Sequence, residues 1–170
     1  MPERGARPEV ARLFIALWPD DATRGALAAW RDMWVWPPGV APVATPRLHL
    51  TLHFIGPVPV TRVPEVAAGL AVSCDGFVLD RGRPGRWRGI AAWCPDAVPP
   101  ALRALHRSLA LALHRLALPV EARPFRPHVT LARKAGHSLP PPQPATLNWV
   151  VSGYALVQSQ DGYRVLRRYA

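Results

Sequence analysis

Cysteine is scarce in this 170-residue chain: Cys74 and Cys94 are its two thiols, and no C-x-x-C spacing occurs. A disulfide framework and a thiolate zinc site are thereby disfavoured, and two reduced thiols are expected. Lysine is scarcer still, with Lys134 the single one against twenty arginines, and acidic residues number 11 against 21 basic ones. The net charge of +10 creates a field that favours phosphates and polyanions. Biased coding composition produces the same arginine-rich signature, so charge alone does not decide for nucleic acid. No apolar run approaches the roughly 20 residues of a membrane helix. The opening MPERGARPEV also lacks the apolar stretch of a secretory leader. A soluble, cytoplasmic protein with no membrane contact is expected, with monomer as the default state.

What is present suffices for one compact domain, or for two small lobes sharing an interface, at 49% hydrophobic and 19% charged residues. RLFIALWP, residues 12–19, has the length of a strand and stops at proline. Asp20 and Asp21 then offer caps for a helix through roughly Trp34. A second helix follows Thr61 in VPEVAAGLAV. FVLDRG and GIAAWCP read as short strands, joined by the glycine-rich RGRPGRWRG as a solvated hairpin loop rather than an anion site. In PPALRALHRSLALALHRLAL, Leu102, Leu105, Leu109, Leu113 and Leu116 recur at steps of three and four and form one buried helical stripe. His106 and His114 fall outside that stripe, as surface residues. NWVVSGYALVQS and YRVLRRY, hinged by QDG, are the last two strand candidates. Strands and helices alternate too irregularly for a parallel doubly wound sheet, so the class is α+β with mainly antiparallel pairing.

Two segments stand out: RLHLTLHFIG, residues 47–56, and RPHVTLAR, residues 126–133. Each carries a His-x-Thr triplet followed by leucine. Six histidines and six threonines in 170 residues would give about 0.2 such triplets by chance. A two-residue spacing puts the imidazole and the hydroxyl on one side of a strand, with the leucines opposite. Two such strands facing each other across a cleft would present His49, Thr51, His128 and Thr130 to one tetrahedral phosphate. One imidazole could then take a proton from an attacking group while the other gives one to the leaving oxygen. The hydroxyls would hydrogen-bond the non-bridging oxygens. By symmetry the residues themselves do not say which histidine is acid and which is base. Each half of the chain sets a helix before its His-x-Thr strand, a weak duplication that suggests two similar lobes.

HLTLHFIG together with RPFRPHVTLAR resembles the paired signatures of the two-histidine phosphoesterases, specifically the RNA 2′,3′-cyclic phosphodiesterases once named 2′-5′ RNA ligases. RLFIALWP and GYALVQSQDGYRVLRRY are similar to that family's terminal segments, so the resemblance covers nearly the whole chain. It implies a bilobal α+β fold of two antiparallel sheets related by a pseudo-twofold axis around a central basic cleft. Residues 1–170 would then form a single catalytic domain with one His-x-Thr strand in each lobe. It further implies hydrolysis of RNA 2′,3′-cyclic phosphate ends to 2′-phosphomonoesters, with His49 as proton donor, His128 as proton acceptor, and Thr51 and Thr130 on the phosphate. Joining of RNA halves through a 2′-5′ bond would use a 5′-hydroxyl in place of water.

Arg126 precedes His128 by two residues and shares its face. Arg133 follows Thr130 by three and needs a strand end or a bulge to reach the phosphate. His53 is in phase with His49 and Thr51, where it would extend the site or pair on a metal. No Asp, Glu or Cys accompanies it, and paired-imidazole chemistry needs neither metal nor cofactor. Phe54 and Phe125 follow the phase of the leucines and are assigned to the core. Two other readings stay open: a non-catalytic basic RNA-binding module, and a phosphodiesterase for a small cyclic nucleotide.

Overall fold

The computed structural model describes residue 5 and residues 7–170. Residues 1–4 and 6, in the opening segment where no secretory leader was expected, lie outside the described residues. The first strand, β1 (Val10–Leu17), leads into helix α1 (Asp21–Asp32). Asp20 caps that helix, its carboxylate accepting from the Thr23 backbone N–H at 2.7 Å, so the aspartate pair starts the helix as its capping chemistry requires. A short β2 (Ala41–Pro42) and a 3-10 turn deliver the chain to β3 (Leu50–Pro59), and α2 (Val63–Gly69) follows. Strands β4 (Phe77–Trp87) and β5 (Ile90–Pro95) precede α3 (Pro100–Arg115), and β6 (Val129–Arg133), β7 (Ala145–Val151), β8 (Tyr154–Ser159) and β9 (Tyr163–Tyr169) complete the chain. The leucine stripe of α3 is buried at Leu102, Leu105, Leu109 and Leu113. Among the described residues no helix is long and apolar enough to cross a membrane.

All strand pairings are antiparallel, and the order across the sheet is β7-β4-β5-β6-β3-β1-β8-β9, with β2 on the edge of β6. One lobe is β3-β1-β8-β9 and the other is β6-β5-β4-β7. The expected two sheets are therefore continuous, but they join at β3 and β6 through a single register pair, Leu50 with Val129. The strand-helix-strand unit β1-α1-β3 sits on one side of that seam and β5-α3-β6 on the other. Each helix reaches across it. Helix α1 packs against β7, where the Trp30 indole N–H donates to the Gln143 carbonyl at 3.1 Å, and α3 packs against β3. The main core fills the space between sheet and helices. A second apolar cluster of Phe14, Ala16, Ala155 and Val157 forms on the opposite face of the first lobe.

Two segments fold differently from their sequence patterns. RGRPGRWRG is not a loop: β4 runs through it to Trp87, and the turn is confined to Arg88 and Gly89, both at positive φ as a two-residue hairpin demands. Its glycines mark close approach rather than reversal. A Cβ at Gly82 would collide with the indole of fully buried Trp93, and one at Gly85 would lie 2.5 Å from both Cys94 Sγ and the Trp87 ring. NWVVSGYALVQS is likewise not one strand. It breaks at Ser152 and Gly153 into β7 and β8, which occupy different lobes, because Gly153 lies so close to the Tyr169 carbonyl that a Cβ would collide with it.

These packing roles separate the glycines by the sign of an alanine substitution. Gly82→Ala overpacks a rigid indole and should lower the unfolding free energy by about 1–3 kcal/mol. Gly25→Ala, at an exposed position of α1 with open space around it, should raise it by about 0.5–1 kcal/mol. Urea unfolding of the two variants beside the parent checks both signs.

Candidate active site

The seam that joins the lobes also aligns the two motifs. Extending the antiparallel register of Leu50 and Val129 by one residue in each direction sets His49 against Thr130 and Thr51 against His128. Leu48, Leu50 and Leu52 on one strand and Val129 and Leu131 on the other are buried, so the His-x-Thr side chains face the opposite way, half-buried. Both histidines are held alike. The His49 Nδ1–H donates to the Arg47 carbonyl at 2.6 Å, and the His128 Nδ1–H donates to the Arg126 carbonyl at 2.8 Å. Each neutral ring therefore keeps its Nε2 lone pair for chemistry. The Thr51 hydroxyl donates to His49 Nε2 at 2.9 Å.

Beyond the threonines, both strands slip by one residue. Leu52 is skipped where β3 pairs with β1, and Leu131 is skipped where β6 pairs with β5. This bulge lets Arg133, out of phase in an ideal strand, line the same cleft as Thr130, as the sequence reading required of it. The matching slip brings Phe54 outward to the position that Arg133 holds in the other lobe. Phe54 is 56% exposed in the cleft rather than packed in the core. His53 is turned inward by the same slip and is buried, so it does not share the face of His49. Its Nε2–H donates to the His106 carbonyl at 2.9 Å, and its ring stacks on His106 at 4.0 Å. His106, expected on the surface, is half-buried between His53 and Phe125, whose ring lies 3.8 Å away. His114 is exposed as expected.

His49, Thr51, Arg126, His128, Thr130 and Arg133 all line one cleft of about 1420 Å³. Its walls differ in character. On the β1-β8-β9 side, Phe14 and Tyr163 line the cleft at 4.9 and 5.3 Å from the His49 ring, which also stacks on Trp18 at 5.7 Å. On the β4-β5 side, Trp87 meets His128 edge-on at 4.8 Å and carries the Arg126 guanidinium over its face at 4.8 Å. Among the described residues Glu121 is the one carboxylate lining the cleft, against eight arginines. Burial pushes His49 down to about 4, aided by Arg24, Arg133 and His128 and opposed by the bond to the Arg47 carbonyl. Burial also lowers His128, with Arg126 and Arg133 adding to the effect. Both rings are therefore neutral at pH 7 while the cleft holds no anion. No group of three or more His, Cys, Asp or Glu with metal-binding geometry occurs among the described residues. Cys74 and Cys94 are free thiols.

A family model, the 2′-5′ RNA ligase superfamily, matches residues 19–158, a span that includes both motifs. The chain belongs to that superfamily. Among its relatives, a protein of Escherichia coli (strain K12) named RNA 2′,3′-cyclic phosphodiesterase is 32% identical over 174 residues, covering 95% of this chain and 97% of its own length. A protein of the same name from Thermus thermophilus is 32% identical and covers 94% of this chain and 89% of its own length. The crystal structure of Escherichia coli LigT complexed with 3′-AMP matches with a TM-score of 0.82 at 29% identity, over 95% of this chain and 98% of that one. The expected two-histidine phosphoesterase fold is thus the observed one.

This superfamily member adds residues to the cleft that the motif reading passed over. Arg47 stands two positions before His49 as Arg126 does before His128, and its guanidinium lies over Tyr163 as that of Arg126 lies over Trp87. The signal was present in the sequence, since both segments read Arg-x-His-x-Thr. Trp87 and Tyr163 had no such signal, because they come from distant strands. An anion placed between the two histidines favours their charged forms. Adding inorganic phosphate should raise both imidazole midpoints, as read by NMR titration of the ring protons; unmoved midpoints would contradict this electrostatic picture. Between about pH 4 and 6.5 the folded histidines hold fewer protons than the unfolded ones, so stability rises with pH. The melting temperature without phosphate should fall as the pH is lowered from 7 to 4.5.

Proposed function

We propose that the protein hydrolyses RNA 2′,3′-cyclic phosphate ends to 2′-phosphomonoesters without a metal or other cofactor, within a single catalytic domain made of two similar lobes. The supporting observation is the one-pair seam, beside which two imidazoles with unprotonated Nε2 atoms, that of His49 accepting from the Thr51 hydroxyl, and two hydroxyls line one basic cleft. Water attacks phosphorus as His128 Nε2 takes its proton. The bond from phosphorus to the 3′-oxygen breaks, and that oxygen takes a proton from His49 Nε2, leaving the phosphate on the 2′-oxygen. The depressed midpoint of His128 keeps it available as a base. His49, low with no anion present, becomes a usable acid when the phosphate charge arrives beside it. Thr51 and Thr130 hold the non-bridging oxygens, and Arg133 and Arg126 balance the charge that builds there.

The exchange of Phe54 for Arg133 supports this direction. An aromatic platform on the His49 side suits the nucleobase, which puts the ribose and its leaving oxygen beside His49. The cationic side then faces the attacking water and the phosphate charge. The relatives named RNA 2′,3′-cyclic phosphodiesterase support the same substrate. With a 5′-hydroxyl in place of water the same steps, with the same 3′-oxygen leaving, form a 2′-5′ link, as between tRNA halves. The protein acts in this reading as a cytoplasmic monomer.

A 2′,3′-cyclic-ended oligonucleotide incubated in excess EDTA tests the proposal. The parent protein should turn it over to 2′-phosphate ends, and His49→Ala and His128→Ala should each lose roughly 10²–10⁴-fold. Equal rates in all three proteins, or a 3′-phosphate product, would refute it. RNA affinity surviving both substitutions without turnover would instead mark a binding module.

A further inference from the structure

The two imidazoles are held alike, yet the cations beside them differ in where they stand. His128 is lowered by burial first and then by Arg126 and Arg133, both of which line the cleft. His49 is lowered by burial, against the bond to the Arg47 carbonyl, and then by Arg24, Arg133 and His128. Arg24 is not among the cleft-lining residues. It reaches His49 from the first turn of α1, whose start the Asp20 cap fixes. Its Nε and Nη2 donate to the Leu48 carbonyl at 3.3 and 3.4 Å, one peptide before His49, and its guanidinium lies 4.8 Å over the Trp18 ring. Trp18 in turn stacks on His49, with 5.7 Å between ring centres and 26° between planes.

The lobe of His128 repeats the parts without the arrangement. Trp87 also carries a guanidinium at 4.8 Å, but it is that of Arg126, and Trp87 meets His128 at 80° rather than stacking on it. Arg126 and Arg133 face whatever anion the cleft holds, and a bound phosphate offsets their charge. Arg24 stands outside the cleft and keeps its own. Burial works against that charge, Asp21 and Asp20 support it, and Arg168 opposes it. A guanidinium remains protonated under all of these. His49 therefore retains an unmatched positive neighbour after a phosphate has arrived, while the arginines beside His128 are matched.

From this placement we infer that Arg24 is a positioning residue that makes His49 the proton donor: through Trp18 and the Leu48 carbonyl it fixes the ring, and it keeps beside that ring a positive charge which the substrate does not offset. The inference rests on the hydrolase reading above for the direction of proton transfer. The proton on His49 Nε2 passes to the 3′-oxygen as the bond from that oxygen to phosphorus breaks, and the charge of Arg24 makes it easier to give. At His128 the phosphate offsets the neighbouring cations, so that ring holds the proton taken from water more firmly. Two rings held alike thereby receive opposite duties. Arginine suits the task because its flat guanidinium lies on an indole and donates to a carbonyl at once.

Two measurements test this on Arg24→Met, which keeps the stem and loses the charge, and on Arg24→Lys, which keeps the charge. NMR titration of the ring protons without phosphate reads the coupling apart from turnover. In Arg24→Met the His49 midpoint should rise by about 0.5–1 in pH while that of His128 stays within about 0.2, and Arg24→Lys should hold both near the parent. An unmoved His49 midpoint, or equal rises in both rings, would overturn the inference whatever the melting temperature does. Steady-state rates on a 2′,3′-cyclic-ended oligonucleotide read the consequence. Arg24→Met should lose about five- to tenfold in kcat with KM within about twofold, and Arg24→Lys should recover most of that loss. A loss confined to KM, or one that lysine does not relieve, would reduce Arg24 to packing and overturn the inference. A parent whose midpoints respond as expected but which turns over no cyclic end would defeat the hydrolase reading and leave the coupling of Arg24 to His49 standing.

Discussion

One backbone pairing carries the arrangement: Leu50 against Val129, the sole register pair between β3 and β6. It makes one sheet of two lobes, and it fixes which residues face each other across the cleft. A single pair is a weak joint for a sheet, and the helices supply what it lacks. Helix α1 is spaced between strands of one lobe yet packs on β7 of the other, and α3 does the reverse on β3. Apolar burial beneath the sheet, with Leu27 and Trp30 from one helix and the leucines of the other, holds the lobes together while the exposed face stays open. The cleft exists because the lobes are braced from behind and joined along almost nothing in front.

Within that frame the lobes repeat one scheme and depart from it where Phe54 stands in one lobe and Arg133 in the other. In both, an arginine carbonyl two positions upstream orients the histidine, a threonine follows, and a bulge at the next leucine turns the strand. The bulge then exposes an aromatic ring in one lobe and a guanidinium in the other. Burial depresses both imidazoles, and the surrounding arginines depress them further. In the proposed mechanism the same arginines attract the anion that reverses the effect, which would link the protonation needed for an acid to the presence of a substrate.

Much of this was legible in the sequence, where local patterns coincide with tertiary roles. The Asp20 cap, the leucine stripe of α3 and the alternation around His49 and His128 each depend on neighbours within a turn or a strand. Arg133 was legible conditionally, since its phase demanded the irregularity that β6 has. Phe54 and His53 were misplaced because a bulge shifts phase without any residue that announces it, and Leu52 is as ordinary in a bulge as in a strand. RGRPGRWRG looked like a loop because glycine and proline punctuate turns more often than they admit an indole. His106 looked like a surface residue because its partners, His53 and Phe125, come from elsewhere in the chain. The division of NWVVSGYALVQS between two lobes is a fact of topology, which local propensity does not encode.

The seam residues stand 79 positions apart, and so do the two histidines that flank them. Closing so long a loop costs chain entropy that local contacts do not offset, which places this joint among the long-range contacts that slow a fold. Neither lobe holds more than one of the paired imidazoles. A chain with one half formed, or with both formed and undocked, has native helices and strands but no paired site. Under the proposed paired-imidazole chemistry, catalytic competence is a property of the last docking step, and activity would report on completion of the fold in a way that helix content does not.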